Sequence, residues 1–174
     1  TYGARGRAKV TMLIFTPSMK PEPGETFSAW FARQNFRNFS SSEIESYWSR
    51  TKRGAKNSEP PRYLWHRFVP TLRVVDDLRD HFGKPVTVTS NYRDPAYNTQ
   101  CGSSNPPDPR ALAGRGSQHV RFAAADIQVK GVSPSRVASY LLAQRRAGAF
   151  VGGIGKYSTF VHIDTRPYHA SWGF

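Results

Sequence analysis

The sequence predicts one α+β domain, a small, largely antiparallel sheet with helices packed on one face. Three observations predict it. Helical spacing and helix-start signals crowd the first half of the chain, up to Phe82. Short β-branched or alternating segments, punctuated by Gly and Pro, fill most of the second half. A length of 174 residues suits a single domain with its own hydrophobic core.

The elements follow in order. Residues 1–24 read as an arm: a basic, Gly-containing start, a candidate strand over Val10–Phe15, and a Pro-rich connector from Pro17 to Gly24. The domain proper spans 25–174. Phe27–Phe36, with Trp30 and Phe31, reads as helical. Ser40 and Glu43 stand three apart as a capping box, followed by Ile44, Tyr47 and Trp48 at helical spacing. Lys52–Pro61 is expected to be a polar loop. Arg62–Phe82 is expected to be helix, bent or restarted near Pro70 and stopped by Gly83. Val86–Thr89 is β-branched throughout and predicts a strand. Tyr92–Gly116 reads as irregular, because Asn105-Pro106-Pro107-Asp108-Pro109 forbids regular structure. Ala124–Lys130 predicts a strand, Ser133-Pro134 opens a helix, Gly152-Gly153 breaks the chain, and Thr159–Asp164 predicts a last long strand, with another around Ala170–Trp172.

Composition narrows the partners. Lys plus Arg number 25 against 12 Asp plus Glu, a formal charge of +13. Such an excess favours a polyanion: nucleic acid, an anionic membrane face or an anionic cell wall. No apolar run approaches the ~18–20 residues of a membrane span. The single cysteine, Cys101, excludes an internal disulfide and a multi-cysteine metal cluster.

The chemistry-bearing residues lie in two segments. One runs from Ser117 to Asp126 and contains His119; the other is Phe160-Val161-His162-Ile163-Asp164. Imidazole nitrogen and carboxylate oxygen are zinc donors, and a catalytic zinc takes three protein ligands with one position left open. Strand alternation puts Asp126 and Gln128 on one face with Ile127 and Val129 on the other. The same alternation sets His162 and Asp164 opposite Val161 and Ile163. Two neighbouring strands would then present Asp126 and His162 to one cleft, on the open face of the sheet.

Together these segments resemble the M15 family of zinc D-Ala-D-Ala carboxypeptidases and murein endopeptidases, in the branch close to phage and bacterial lytic enzymes. The resemblance rests on Ser117-x-His119-x6-Asp126, on the strand carrying His162, and on Lys84–Asn98 upstream, which includes Arg93. It implies zinc held by His119, Asp126 and His162, with Arg93 pairing a substrate carboxylate. Ser117 either bonds the substrate or caps a turn. Two positions depart from the family pattern. Phe122 stands where many relatives have Gly, and Thr159 stands where the family often has the acidic general base. Asp164 is the candidate base or partner of His162, and His169 is a reserve. Residues 102–116 look like an enlarged loop beside the site.

The resemblance implies hydrolysis of peptide bonds in peptidoglycan, with an anionic cell-wall polymer as a further partner. Its location would be secreted, periplasmic or cell-wall-directed, including a phage particle. Two other classes stay open. A non-catalytic zinc-containing wall-binding module fits the missing acid at Thr159. A basic nucleic-acid-binding protein fits the charge and aromatics such as Tyr47, Trp48 and Trp65, although helical spacing of those aromatics favours core packing.

Overall fold

The structure, a computed structural model, describes residues 20–174. The expected strand at Val10–Phe15 lies outside them, as does most of the arm. Residues 20–25 are tied to the domain: the Arg33 guanidinium grips Glu25 at 2.7 and 2.8 Å, and Arg62 donates to the carbonyls of Glu22 and Glu25.

Helices come first. Thr26 caps α1 (Phe27–Arg33), and the Ser40–Glu43 capping box starts α2 (Ser41–Glu45). The helix ends before Tyr47 and Trp48, which are buried from the following turns. A 3-10 helix (Arg62–Arg67) then gives way to α3 (Phe68–Phe82). The restart falls at Phe68, two residues before Pro70, as expected near that proline. Pro70 occupies the first turn of α3, where a missing N–H costs no helical hydrogen bond. Gly83 ends α3 at φ 57°, in the left-handed region.

Lys52–Pro61 is more ordered than a loop. Strands β1 (Thr51–Lys52) and β2 (Ala55–Lys56) pair antiparallel, with Arg53 and Gly54 both at positive φ in the two-residue turn. A second correction is α4 (Pro95–Gln100) within the stretch read as irregular. Asp94 caps it and Pro95 is its first residue, so the local signal was present but overshadowed by the prolines that follow.

The main sheet contains β3 (Val86–Ser90), β4 (Ala124–Val129), β5 (Gly153–Lys156), β6 (Val161–Asp164) and β7 (Ala170–Trp172), in the order β3-β4-β6-β5-β7. Every neighbouring pair is antiparallel except β5–β7, so the α+β architecture with a largely antiparallel sheet holds. The 13-residue α5 (Pro134–Arg146), capped by Ser133, packs on β4, β5 and β6, while α3 packs on β4. The expected break at Gly152-Gly153 is instead the entry to β5. A Cβ on Gly153 would meet the Asp164 carboxylate at 2.5 Å, and one on Gly155 would meet the Trp172 indole at 2.3 Å. These glycines permit close approach of neighbouring groups. Among the described residues, no helix is long and apolar enough to cross a membrane.

Behind the sheet lies an aromatic core in which Trp30, Trp48, Trp65 and Phe27 meet edge-on or tilted. Phe122 joins it. Its ring stacks on Phe68 at 4.5 Å and meets Tyr92 edge-on at 5.9 Å, yet its backbone sits at φ 52°. That conformation explains why glycine suits this position, and the buried ring explains why Phe is tolerated. Deleting a buried Phe ring costs about 3–5 kcal/mol, whereas left-handed backbone at a residue with a Cβ costs roughly 1–2 kcal/mol. We therefore expect Phe122→Gly to be destabilised by about 2–4 kcal/mol, and Phe122→Ala by about 1 kcal/mol more, in urea unfolding. A Gly variant no more stable than the Ala variant would remove the backbone-strain explanation.

Candidate metal centre

The site is built on the β4–β6 pairing. Asp126 and His162 are direct partners in the register, so their side chains rise from the same face. His119 reaches them from the turn that precedes β4. All three are buried, and each offers one donor atom within 4.8 Å of the others. His119 Nε2 lies 3.2 Å from His162 Nδ1 and 3.2 Å from Asp126 Oδ1, and His162 Nδ1 lies 2.9 Å from the same oxygen. Ligands at about 2.0–2.1 Å from a tetrahedral metal stand about 3.3 Å apart. The spacing fits.

The remaining ring nitrogens are occupied in the way a metal site requires. His119 Nδ1 is 2.6 Å from the Asn91 carbonyl oxygen. That carbonyl can only accept, so it fixes the proton on Nδ1 and leaves the Nε2 lone pair free. Asn91 is itself fully buried: its side chain accepts from Trp48 Nε1 at 3.0 Å and donates to the Ile44 carbonyl at 2.9 Å. On the other imidazole, Nε2 is 3.0 Å from Asp164 Oδ2, which leaves Nδ1 facing the metal position.

Asp164 has no exposed side-chain surface. Arg166 holds it bidentately at 2.8 and 2.6 Å, and the Gly153 N–H donates to it at 3.1 Å. It stands behind the His162 ring and does not line the cavity that opens over the donor atoms. Arg93 is turned inward: Nη2 donates to Asp126 Oδ2 at 2.6 Å and Nε to Ser90 Oγ at 2.9 Å. Ser117 Oγ accepts from the His119 N–H at 3.2 Å and also borders the cavity. Thr159 and His169 are exposed and lie outside it. Sequence reasoning missed Asn91, Arg166 and Trp172. An Arg two residues past Asp164 was the one readable signal; the other two depend on chain reversals invisible in the sequence.

The cavity measures about 720 Å³. Its rim includes Ser103, Ser104 and Gly116 from the expected enlarged loop. That loop is folded around Arg121, 1% exposed, whose guanidinium donates to the carbonyls of Ala111, Ala113, Arg115 and Gly116. On the opposite side Trp172, hydrogen-bonded through Nε1 to the Tyr157 hydroxyl at 3.0 Å, covers Gly155 with its ring 5.2 Å from His162.

Burial alone would raise the Asp126 pKa, but the two imidazoles beside it hold it well below the usual carboxylate range. Burial likewise pushes His119 down. His162 moves the other way: burial opposes its charge, and the hydrogen bonds to Asp126 and Asp164 more than offset that, so its pKa is raised.

Two imidazoles and a carboxylate, two of them from one sheet face and His119 from the preceding turn, converge on an open cavity and could hold a metal of the kind hydrolases use. The chain belongs to the peptidase M15 family, whose model matches residues 37–164, a span that includes all three donors. No curated protein and no solved structure matches it.

Because a metal must displace the proton from His162, affinity should rise with pH through the raised pKa of that ring. On acidification the loss should begin above the ordinary imidazole range of about 6.5. Competition titrations with zinc between pH 8.5 and 5.5 check this, and affinity flat down to pH 6 would contradict it.

Proposed function

We propose that the chain is a zinc-dependent peptidase that hydrolyses peptide bonds in peptidoglycan, in its stem peptides or cross-links. The observation that carries this reading is the triangle of donor atoms with both imidazole tautomers locked outward. His119, Asp126 and His162 would hold the ion. Bound zinc would supply Lewis acidity to a water and to the scissile carbonyl.

The chain's own groups do the rest. The Asn91 carbonyl and the Asp164 carboxylate hold the two rings in the tautomers that expose a lone pair. Arg93 occupies Asp126 Oδ2, so Oδ1 is the oxygen that would be left to hold the ion. Trp172 limits water on the His162 side. Both Asp164 oxygens are engaged by Arg166, Gly153 and His162, which suits a partner of His162 better than a proton acceptor. The excess of cations would draw the protein to an anionic cell wall, in a secreted, periplasmic or phage-borne setting.

One observation favours a second reading. Among the described residues, Asp126 is the only carboxylate lining the cavity, and the family's usual acid position is Thr159. A zinc-containing wall-binding module without turnover would have this composition. Digestion of purified peptidoglycan with and without a chelator, analysed by mass spectrometry, separates the two. New peptide termini that vanish with chelator are expected; intact material under both conditions would leave only the binding role.

Asp164→Asn gives a further test. As a partner of His162, its loss should weaken zinc binding by about 10–100-fold, measured by chelator competition on protein shown folded by circular dichroism. Unchanged zinc affinity with turnover abolished would make Asp164 the base instead.

A further inference from the structure

Four cations border the cavity above the donor atoms: Arg50, Lys52, Arg93 and Arg166. Two are already engaged by the protein. Arg93 is only 13% exposed and bonds Asp126 and Ser90, and Arg166 is paired with buried Asp164. Arg50 and Lys52 have no carboxylate partner among the described residues. Both are exposed and stand two residues apart at the start of the β1–β2 hairpin, so extended backbone directs them to the same side.

Arg50 is also held in place. Its guanidinium lies 5.1 Å from the centroid of the buried Tyr47 ring, and its carbonyl accepts from the Asn57 N–H at 2.7 Å across the base of the hairpin. Lying against an aromatic face restrains the planar group while its N–H edge remains free for a ligand. A cleft with two uncommitted cations and no uncommitted carboxylate repels basic ligands and draws acidic ones.

We infer that Arg50 and Lys52 form an anion-reading arm of this cleft, and that the ligand is an acidic peptide whose carboxylate docks on the hairpin side. This assigns carboxylate recognition to residues outside the Arg93 segment. It deepens the peptidase reading and rests on it. Arg50 supplies a bidentate fork suited to a carboxylate, and Lys52 supplies a second, mobile charge beside it.

The test compares zinc-loaded protein on soluble muropeptides with free carboxyls and on the same material after carbodiimide amidation with ammonia. Wild-type protein should lose about tenfold in affinity on amidation, the scale of one charge-assisted hydrogen bond. Arg50→Gln/Lys52→Gln should bind the native material about as weakly as the amidated, with zinc content unchanged. Arg50→Lys should recover part of the preference. A control that removes the same charge elsewhere, Lys84→Gln/Arg146→Gln, should keep the full preference. The inference is overturned if the hairpin variant still prefers free carboxyls as wild type does, or if the control loses the preference equally. Calorimetry reads binding independently of turnover. A wild type that binds with this preference but never cuts therefore sinks the peptidase reading and not the arm, whereas one that binds neither material sinks the arm.

Discussion

The antiparallel pairing of β4 with β6 sets Asp126 directly opposite His162, and the rest of the structure depends on that register. A slip of one strand by one residue would turn Asp126 or His162 to the helix-covered face and bring a neighbouring isoleucine, Ile127 or Ile163, to the cleft. The apolar residues between them oppose such a slip, since Ile127, Val161 and Ile163 are all buried. The glycines of β5 serve the same end by letting Asp164 and Trp172 close in around His162. His119 is then brought to the pair by the Asn91 carbonyl, and Asn91 hangs from Trp48 and Ile44. The aromatic core is thus mechanically continuous with the metal donors.

Charge alternates along the sheet face in the order Arg93, Asp126, His162, Asp164, Arg166. Two cations and two anions balance around a central imidazole, which makes burial of all of them tolerable. The balance has a chemical result. A divalent ion held by the three donors would give the face a net positive charge, and neither arginine could leave its carboxylate without stranding a buried anion. Recognition of an incoming acidic group would then fall to cavity cations outside these pairs.

Much of the fold was legible because local signals agreed with it. The capping box at Ser40, the Ser133-Pro134 helix start and the alternating Ala124–Lys130 strand each carry their own cause in neighbouring residues. Strand alternation likewise put Asp126 and His162 on matching faces. What escaped was set by distant partners. Gly153 looked like a breaker because its reason, the Asp164 side chain, is eleven residues away. Arg93 looked like a free cation because nothing local reveals that Asp126 lies across the sheet. Asp164 was readable as important, but which side of the imidazole it occupied was not.

Arg121 sits at the centre of the 111–116 loop, and its counter-charges are peptide dipoles instead of an acid. Such a hub uses only the carbonyl oxygens of the residues it gathers, so it places no demand of its own on their side chains. Ala111, Leu112, Ala113 and Arg115 are therefore open to sequence drift, whereas Gly116 is fixed by its left-handed φ of 96° and by the Pro106 backbone against it. The outward residues of this loop can change without remaking the scaffold that brings Gly116 to the cavity.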